Sequence, residues 1–369
     1  MMGNFTFVLA VYNKLNLTKQ CYKFLRDVYP TTPLVISSGG STDETETWLK
    51  SLNDSNLKFI HTNTRISFSE TYNVGISNVE TEKLVLIHND MVIGEGFIES
   101  LERLLTPDML LSYTTIEPPI FAGHWRPGKV ILDLGSGFEN FDSFQFNNFV
   151  RQWNGGDKLY DGAVFFMSGY KKMFEDIGGF DGKTFFPCFC EDDDFLLRAK
   201  LKGYKLKTCD SAITYHFVSQ TSRFSDEMQH KRIGIERSSI RNFVRKWGLP
   251  IYSFNQIEYW NIEDFNYKKL RVGLTTSDYH FVMENEPYFD KINLGYIPEE
   301  YIKTEQKHTI VDLKSKFLDT DDVDVMIHIS SFTPSDGENL SKIRLVLSDY
   351  EPGFYEVGNL KIEIKVSDL

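Results

Sequence analysis

The chain has 369 residues, of which 41% are hydrophobic and 25% charged, and its formal net charge is −12 at pH 7. These values are typical of a globular protein with room for two domains, each with its own core. The negative charge argues against a protein whose whole surface coats nucleic acid or an anionic membrane. The charge is uneven, because residues 251–369 carry 12 Lys and Arg against 22 Asp and Glu, whereas residues 217–250 carry 7 against 3.

The amino-terminal stretch MMGNFTFVLAVYN has neither the basic segment nor the long apolar segment of an export signal. No window of the sequence reaches the length of a membrane-spanning helix. We therefore expect a cytoplasmic protein without a transmembrane segment. Four cysteines in so long a chain do not form a disulfide framework, and Cys188 and Cys190 lack a second Cys or His pair at zinc spacing. Buried free thiols are the expected state.

The first 90 residues alternate strand-like with helix-like segments. Strands are predicted at FTFVLAVY, LVIS, LKFIHT and KLVLIHND, and helices at residues 17–28, 43–52 and 69–77. This alternation predicts a mostly parallel, doubly wound α/β sheet that binds ligands at the carboxyl ends of its strands. Polar residues stand at those ends, since Asn13 follows the first strand, SSGGSTD the second, and HND the fourth.

The rest of the chain predicts loops, a basic helix and a second sheet. Residues 117–162 have little regular period and are expected to form long surface loops. Residues 226–246 predict a basic amphipathic helix that ends at WGLP. In the tail, VDVMIHIS, IRLVLS and LKIEIKV alternate apolar with polar residues, which predicts antiparallel strands. We therefore divide the chain into a first domain (1–220), a closing helix and linker (221–261) and a smaller β-containing domain (262–369).

Four consecutive acids begin the segment EDDDFLLRAKL at Glu191. A structural interpretation is that carboxylates are favourable in the first turn of a helix, with Asp194 and Arg198 forming a pair one turn apart. A functional interpretation is that one acid is a general base, which requires partners elsewhere in the chain. This segment alone leaves both interpretations open.

A set of ordered motifs makes the functional interpretation specific. The chain resembles the family 2 glycosyltransferases with the GT-A fold over about residues 5–220, through VLAVYN, SSGGSTDET, YNVGISNVETEKLVLIHND, GGFD, CEDDDFLLRAKLKGY and YHF. The resemblance implies a Rossmann-like GT-A sheet and an inverting enzyme that transfers a sugar from a nucleoside-diphosphate donor to a hydroxyl group. It also implies a divalent cofactor, Mn²⁺ or Mg²⁺.

The resemblance implies that Asp90 of the HND motif is a metal ligand, where the family has DxD. His88 replaces the first acid of that motif, and His216 matches a histidine that supplies a further ligand in related enzymes. The alternative for His216 is a hydrogen-bonded structural role. Electrostatics also favour a cation, because each contact of a diphosphate with a carboxylate at ~4 Å costs about 4 kcal/mol at an effective dielectric near 20. An imidazole ligand favours Mn²⁺ over Mg²⁺.

The resemblance also implies a nucleotide-binding set at the strand ends. Its members are Ala10, Tyr12, Asn13, Ser38, Gly40, Arg65, Asn73, His88, Asn89 and Arg223. Ser38 stands where the family usually has an acid that contacts the uracil ring, so base recognition is weakened or different here. A UDP-sugar is the donor expected by default and is not deduced from Ser38. Arg65 and Arg223 are candidates for the diphosphate, with a surface arginine as the alternative for each. Asp43 is expected to cap the helix that follows it.

In the ED motif of inverting members, the aspartate takes the proton of the acceptor hydroxyl. Asp192 occupies that position here, and Glu191 would orient the acceptor or the base. Neighbouring like charges raise the pKa of a carboxyl group, which suits a base.

Three other functions remain open from the sequence. The first is a non-catalytic sugar-binding or assembly module that keeps the fold, for which HND and Ser38 would be signs of lost turnover. The second is a glycosyltransferase acting on modified nucleic acid, which the short basic strip supports weakly. The third is a methyltransferase, but the tail lacks a preceding glycine-rich nucleoside loop. A glycan or cell-wall-type polymer is the expected acceptor, and the tail is expected to bind acceptor or to form a homo-oligomer.

Overall fold

The computed structural model describes residues 5–121, 126–153, 156–218, 220, 229–247, 271–276, 279–317, 322–329, 333 and 351–365. Two compact units divide the chain. The first comprises residues 1–236 and 252–259, and the second comprises residues 237–251 and 260–369. No helix in the described ranges combines the length and the apolar character needed to cross a membrane.

A mixed sheet forms the centre of the first unit, and ten of the described strands belong to it. Its main path runs β3-β2-β1-β4-β9-β6-β10-β5, with β7 beside β6 and β8 beside β10. The strands are β1 (Phe5–Val11), β2 (Leu34–Ser38), β3 (Leu57–His61), β4 (Lys83–Ile87), β5 (Met91–Ile93), β6 (Met109–Glu117), β7 (Lys129–Ile131), β8 (Leu159–Asp161), β9 (Met167–Tyr170) and β10 (Lys205–His216). The helices are α1 (Leu15–Val28), α2 (Thr45–Ser51), α3 (Phe68–Ser77), α4 (Phe97–Leu104), α5 (Ser143–Gln152), α6 (Lys171–Ile177) and α7 (Glu191–Leu201).

The parallel part of this sheet confirms the predicted α/β architecture. Strands β3, β2, β1 and β4 pair in parallel, and β6 pairs in parallel with β10. Every residue of β1, β2 and β4 is buried, as expected for strands covered by helices on both faces. Their carboxyl ends therefore lie along one edge of the sheet, which is the edge that carries the polar motifs.

The prediction of long irregular loops for residues 117–162 is wrong in part, because α5 lies within this stretch. The side chain of Asp142 accepts a hydrogen bond from the backbone N–H of Gln145 at 2.9 Å and so caps the helix. Phe146 is buried on the inner face, and Phe149 and Val150 pack beside it. Three apolar residues at helical spacing were enough to form a helix among many polar neighbours.

The second unit contains a five-stranded sheet in the described residues, with the order β12-β11-β13-β15-β14. Its elements are β11 (Arg271–Thr275), β12 (Lys291–Asn293), β13 (Val325–His328), β14 (Gly353–Val357), β15 (Leu360–Ile364), α9 (Tyr279–Asn285) and α10 (Glu299–Glu305). The predicted antiparallel pairing is observed for β13 with β15, which contain VMIH and LKIEI. Strand β11 instead pairs in parallel with both β12 and β13. The predicted strand IRLVLS lies outside the described residues.

A buried charge network within the second unit involves residues 237–247 of the basic helix α8 (Arg232–Trp247). The Arg245 guanidinium lies 2.6 Å from a Glu286 carboxylate oxygen and 2.9 Å from one of Glu305. Arg241 pairs with Glu305 at 2.7 Å, and Lys316 pairs with Glu286. These arginines are neutralised inside the unit, so they do not contribute to a basic surface.

We expect the Arg245→Met substitution to destabilise the second unit by about 3–5 kcal/mol, because it leaves buried carboxylates without one of their cations. Urea unfolding followed by circular dichroism measures this loss. Lys361→Met is the control, since Lys361 forms an exposed pair with Glu356 at 3.8 Å and should change the transition little. Equal transitions for both variants would contradict an energetic role for the network.

Candidate functional site

The three predicted metal ligands meet at the edge where β4 and β10 end. His88 and Asp90 follow β4, and His216 is the last residue of β10, where it pairs with Met91 of the antiparallel β5. The Asp90 Oδ1 atom lies 3.4 Å from His216 Nε2 and 3.9 Å from His88 Nδ1. One ligand atom from each residue lies within 4.8 Å of the other two. We call His88, Asp90 and His216 the His-Asp-His cluster.

The chemistry of this cluster fits a divalent transition metal. Asp90 is 3% exposed and His216 is 7% exposed, so water screens their charges little. The Nε2 atom of His88 is buried and makes no hydrogen bond within the described residues. A buried imidazole nitrogen without a partner is costly, and it is also an available metal ligand. Two imidazole nitrogens and a carboxylate suit Mn²⁺ and its heavier neighbours better than Mg²⁺.

Opposing electrostatic effects set the charges of the cluster. Burial lowers the pKa of His88 to about 4, with Asp90 opposing the shift, so its imidazole is neutral near pH 7. Burial alone would raise the pKa of Asp90, but His216, His88 and the backbone N–H of Gln220 hold it at about 2. Burial also opposes charge on His216, but the Asp90 and Glu117 carboxylates raise its pKa to about 9. Near pH 7 the cluster therefore contains an anionic carboxylate, that of Asp90, and a neutral imidazole, that of His88, which is the form that can bind a metal.

Two further groups in this region were missed by the sequence reasoning. Glu117 ends β6, and its Oε1 atom lies 3.5 Å from Nδ1 of His216. The backbone N–H of Gln220 donates to Asp90 Oδ2 at 3.3 Å. Glu117 is a polar residue at a strand end, as the other site residues are. It was missed because the predicted loop region, residues 117–162, began at this residue. A backbone contact such as that of Gln220 leaves no signal in the sequence.

The loops after β1 and β2 are joined by Asn13. Its Oδ1 atom accepts hydrogen bonds from the backbone N–H groups of Thr42 at 2.7 Å and Asp43 at 3.3 Å. Asp43 accepts from Thr45 N at the start of α2 and from Leu15 N at the start of α1. Asp43 precedes Glu44, the N-cap of α2, and its carboxylate accepts from the first N–H of the helix, while Asn13 fixes the loop that carries Asp43.

Several predicted nucleotide-binding residues lie together near the ends of β1 and β2. Arg65 stacks on the Tyr12 ring at 4.4 Å. Gly40 has a φ of +78°, and a Cβ atom there would lie 2.5 Å from the backbone of Thr64 and Arg65, so only glycine fits. Ser38 is 1% exposed, and its hydroxyl lies 2.9 Å from Ser41 Oγ and 3.1 Å from His61 Nδ1. Its hydrogen-bonding capacity is thus used within the protein.

The remaining predicted nucleotide-binding residues have different surroundings. Ala10 is buried within β1, opposite Ser37 of β2. The Asn73 amide exchanges two hydrogen bonds of 2.8 Å with the backbone of Phe180, which attaches α3 to the GGFD loop. The Asn89 amide donates to Thr18 Oγ1 at 3.2 Å. Arg223 lies outside the described residues.

The acidic run begins helix α7. Phe189 and Cys190 have φ values of 78° and 66°, a tight entry that places all four acids in the first turn. Asp194 is buried and pairs with Arg198 at 2.8 Å, which in turn donates to Ile177 O at 2.7 Å. The helix pair expected from the sequence is therefore present and positions the start of α7.

The two acids of the ED motif differ from Asp194. Glu191 is buried, and its Oε2 atom has no hydrogen-bond partner within the described residues. Burial and the neighbouring Asp192 raise the pKa of Glu191 well above its usual range. Burial also raises the pKa of Asp192, which is half-buried. Both carboxyl groups therefore bind protons more readily than exposed acids do. The sequence suggested that neighbouring like charges raise these pKa values, but burial is the larger cause.

An aromatic layer lies between the His-Asp-His cluster and α7. The His88 ring lies 4.9 Å from Phe165, which lies 5.7 Å from Phe180. Phe180 stacks at 4.4 Å on Phe195 of α7. The same packed layer therefore supports the candidate metal ligand and the helix with the candidate base.

Comparison with protein families matches residues 6–174 to the family described as glycosyl transferase family 2. A search of curated proteins found no significant match.

Among solved structures, S. aureus TarS 1–349 is 13% identical with a TM-score of 0.44, over 100% of this chain and 98% of that one. The mannosyltransferase PcManGT from Pyrobaculum calidifontis, solved with GDP-Man and Mn²⁺, is 15% identical with a TM-score of 0.44, over 67% and 64%. GalNAc-T7 with UDP, GalNAc and Mn²⁺ is 10% identical with a TM-score of 0.42, over 57% and 42%. The chain spans less than two thirds of the length of these last two proteins.

We expect the protein without nucleotide to bind one Mn²⁺. Asp90→Asn and His216→Ala should each weaken that binding at least about tenfold, since the first removes the anionic charge and the second a ligand nitrogen. Titration followed by electron paramagnetic resonance of free Mn²⁺ measures the affinity. His61→Ala is the matched control, because this imidazole also lies near a carboxylate, that of Glu46 at 3.6 Å, but outside the cluster. Equal affinities for all the proteins would exclude the cluster as the metal site.

Proposed function

We propose that the chain, of which residues 6–174 match the glycosyl transferase family 2 model, is a metal-dependent, inverting glycosyltransferase. It moves a sugar from a nucleoside-diphosphate donor to a hydroxyl group of a glycan or cell-wall-type polymer. One observation carries the proposal: Asp90 and two imidazoles converge at the carboxyl edge of the parallel strands, where α/β sheets bind their ligands.

His88, Asp90 and His216 would hold the divalent ion, which would supply positive charge for a diphosphate beside the carboxylate of Asp90. The buried position of these side chains supports this role, because a low local dielectric strengthens their attraction for a cation. The nucleotide would lie along the loops that Asn13, Gly40 and Arg65 shape. A UDP-sugar remains the default donor, although the Ser38 hydroxyl is already hydrogen-bonded to its neighbours.

Asp192 is the general base in this proposal. Its carboxylate takes the proton of the acceptor hydroxyl while that oxygen forms a bond to the anomeric carbon. The bond from that carbon to the diphosphate oxygen breaks in the same displacement, so the anomeric configuration inverts and the nucleoside diphosphate leaves. The raised pKa of Asp192 supports this role, because a base is most effective when its pKa approaches the working pH. Glu191, buried beside it, would orient the acceptor.

We expect Asp192→Asn to lower the rate of transfer by about 10²- to 10⁴-fold, the usual contribution of a general base. Release of nucleoside diphosphate, measured with a panel of nucleotide sugars and Mn²⁺, gives the rate, and Mn²⁺ affinity should not change. Asp193→Asn is the matched control, because it removes a neighbouring carboxylate from the same turn of α7.

Full turnover by Asp192→Asn would overturn the assigned base. Wild-type protein that binds nucleotide and Mn²⁺ but releases no nucleoside diphosphate with any acceptor would instead identify a sugar-binding module. Thermal shifts with nucleoside diphosphates, with and without Mn²⁺, identify the nucleotide first, since the correct one should raise the melting temperature.

We expect His88→Asp to shift the metal preference toward Mg²⁺, because it replaces a nitrogen ligand with the oxygen that Mg²⁺ prefers. The ratio of Mn²⁺ to Mg²⁺ affinity should fall by about tenfold or more in competition titrations. Asn89→Asp is the control, since it adds the same charge one residue away on a side chain that contacts Thr18. An unchanged ratio in His88→Asp would show that His88 is not a ligand.

A further inference from the structure

The His216 imidazole lies between two carboxylates, one at each ring nitrogen. Its Nε2 atom lies 3.4 Å from Asp90 Oδ1, and its Nδ1 atom lies 3.5 Å from Glu117 Oε1. The sheet produces this arrangement, because β6 and β10 are parallel neighbours with Ile116 opposite Tyr215. The next residues along the two strands are Glu117 and His216. Only one side of the ring, that of Nε2, belongs to the His-Asp-His cluster.

Glu117 is itself held firmly in place. Arg126 donates to its Oε1 atom at 2.8 Å, and the Thr115 hydroxyl donates to the same atom at 3.0 Å. The Lys129 ammonium lies 3.4 Å from Oε2. The Arg126 guanidinium also stacks on Phe166 at 5.4 Å, and the Phe166 ring packs edge-on against His216 at 4.9 Å. The carboxylate, its cations and the imidazole thus form one packed group.

A plain structural role would make Glu117 a buried partner for two cations at the end of a strand. That role does not account for the contact with His216. Nδ1 of His216 is buried and has no hydrogen bond of good geometry within the described residues, so Glu117 is the acceptor within closest reach. In metal sites the histidine ligand commonly donates its second N–H to a carboxylate, which fixes the ring orientation and the nitrogen that binds metal.

Building on the proposed metal site, we infer that Glu117 is a positioning residue for that site. It accepts the Nδ1–H of His216, so the ring keeps Nε2 directed toward Asp90. Arg126, Lys129 and Thr115 hold the carboxylate in the orientation that this contact requires. The functional site therefore extends from the ends of β4 and β10 to the end of β6.

The test compares Mn²⁺ affinity, without nucleotide or acceptor, for wild-type protein, Glu117→Met and Glu117→Gln. Methionine is similar in length to glutamate but cannot accept the Nδ1–H bond, so we expect affinity about 10- to 100-fold weaker. Glutamine loses the charge but keeps an acceptor oxygen, so its affinity should lie closer to that of wild type. If Glu117→Met does not fold, Glu117→Ala takes its place.

Asp54→Asn is the matched control, because Asp54 is a mostly buried carboxylate that pairs with Arg26 at 2.7 Å outside the site. A structural role alone would lower the melting temperature of the Glu117 and Asp54 variants and leave Mn²⁺ affinity within twofold of wild type. That result would overturn the inference, as would equal losses in the methionine and glutamine variants, which would indicate an effect of charge alone. Wild-type protein that binds no Mn²⁺ would overturn the proposed metal site as well.

Discussion

The burial of Asp90 is the constraint on which the site depends. An ionised carboxylate at 3% exposure is costly unless charged or polar partners surround it. The fold supplies them from separate parts of the chain, namely the imidazole of His216 at the end of β10 and the backbone N–H of Gln220. These partners lower the pKa of Asp90 to about 2, so the carboxylate stays anionic. The buried carboxylate of Asp90 beside the neutral imidazole of His88 attracts a cation, and this follows from strand order before any catalytic role is considered.

The surroundings of His88 suit an imidazole. The imidazole contacts the rings of Phe68, Phe165 and Phe166 at centroid distances of 5.6, 4.9 and 5.1 Å. A carboxylate in this aromatic environment would be desolvated with few hydrogen-bond donors, whereas an imidazole packs against rings and remains neutral. The low pKa of His88 has the same cause. The packing around position 88 therefore accommodates a neutral imidazole better than a carboxylate.

Local sequence predicted the parts of the structure that depend on local physics. The strands β1, β2 and β4 are apolar runs with polar residues at their ends, and the Asp194–Arg198 pair follows from helical spacing. The sequence did not predict which distant strands pair with each other. The contact of Glu117 with His216 can be predicted only when β6 is known to lie beside β10. The alternation of apolar and polar residues does not show that β11 pairs in parallel in the second sheet. Helix α5 was missed because its polar residues obscure three apolar ones at helical spacing.

The aromatic layer explains how two separate candidate centres can belong to one site. Phe165 and Phe180 connect the ring of His88 to Phe195 of α7 by direct packing, and the N–H of Phe68 donates to Pro187 O at 2.9 Å in the segment before that helix. Close-packed rings resist small changes in volume, so a displacement at the His-Asp-His cluster would be transmitted to the start of α7. The carboxyl groups there have raised pKa values because the same burial removes them from water. Packing thus holds the His-Asp-His cluster and the acidic start of α7 in place while burial shifts the pKa values of both.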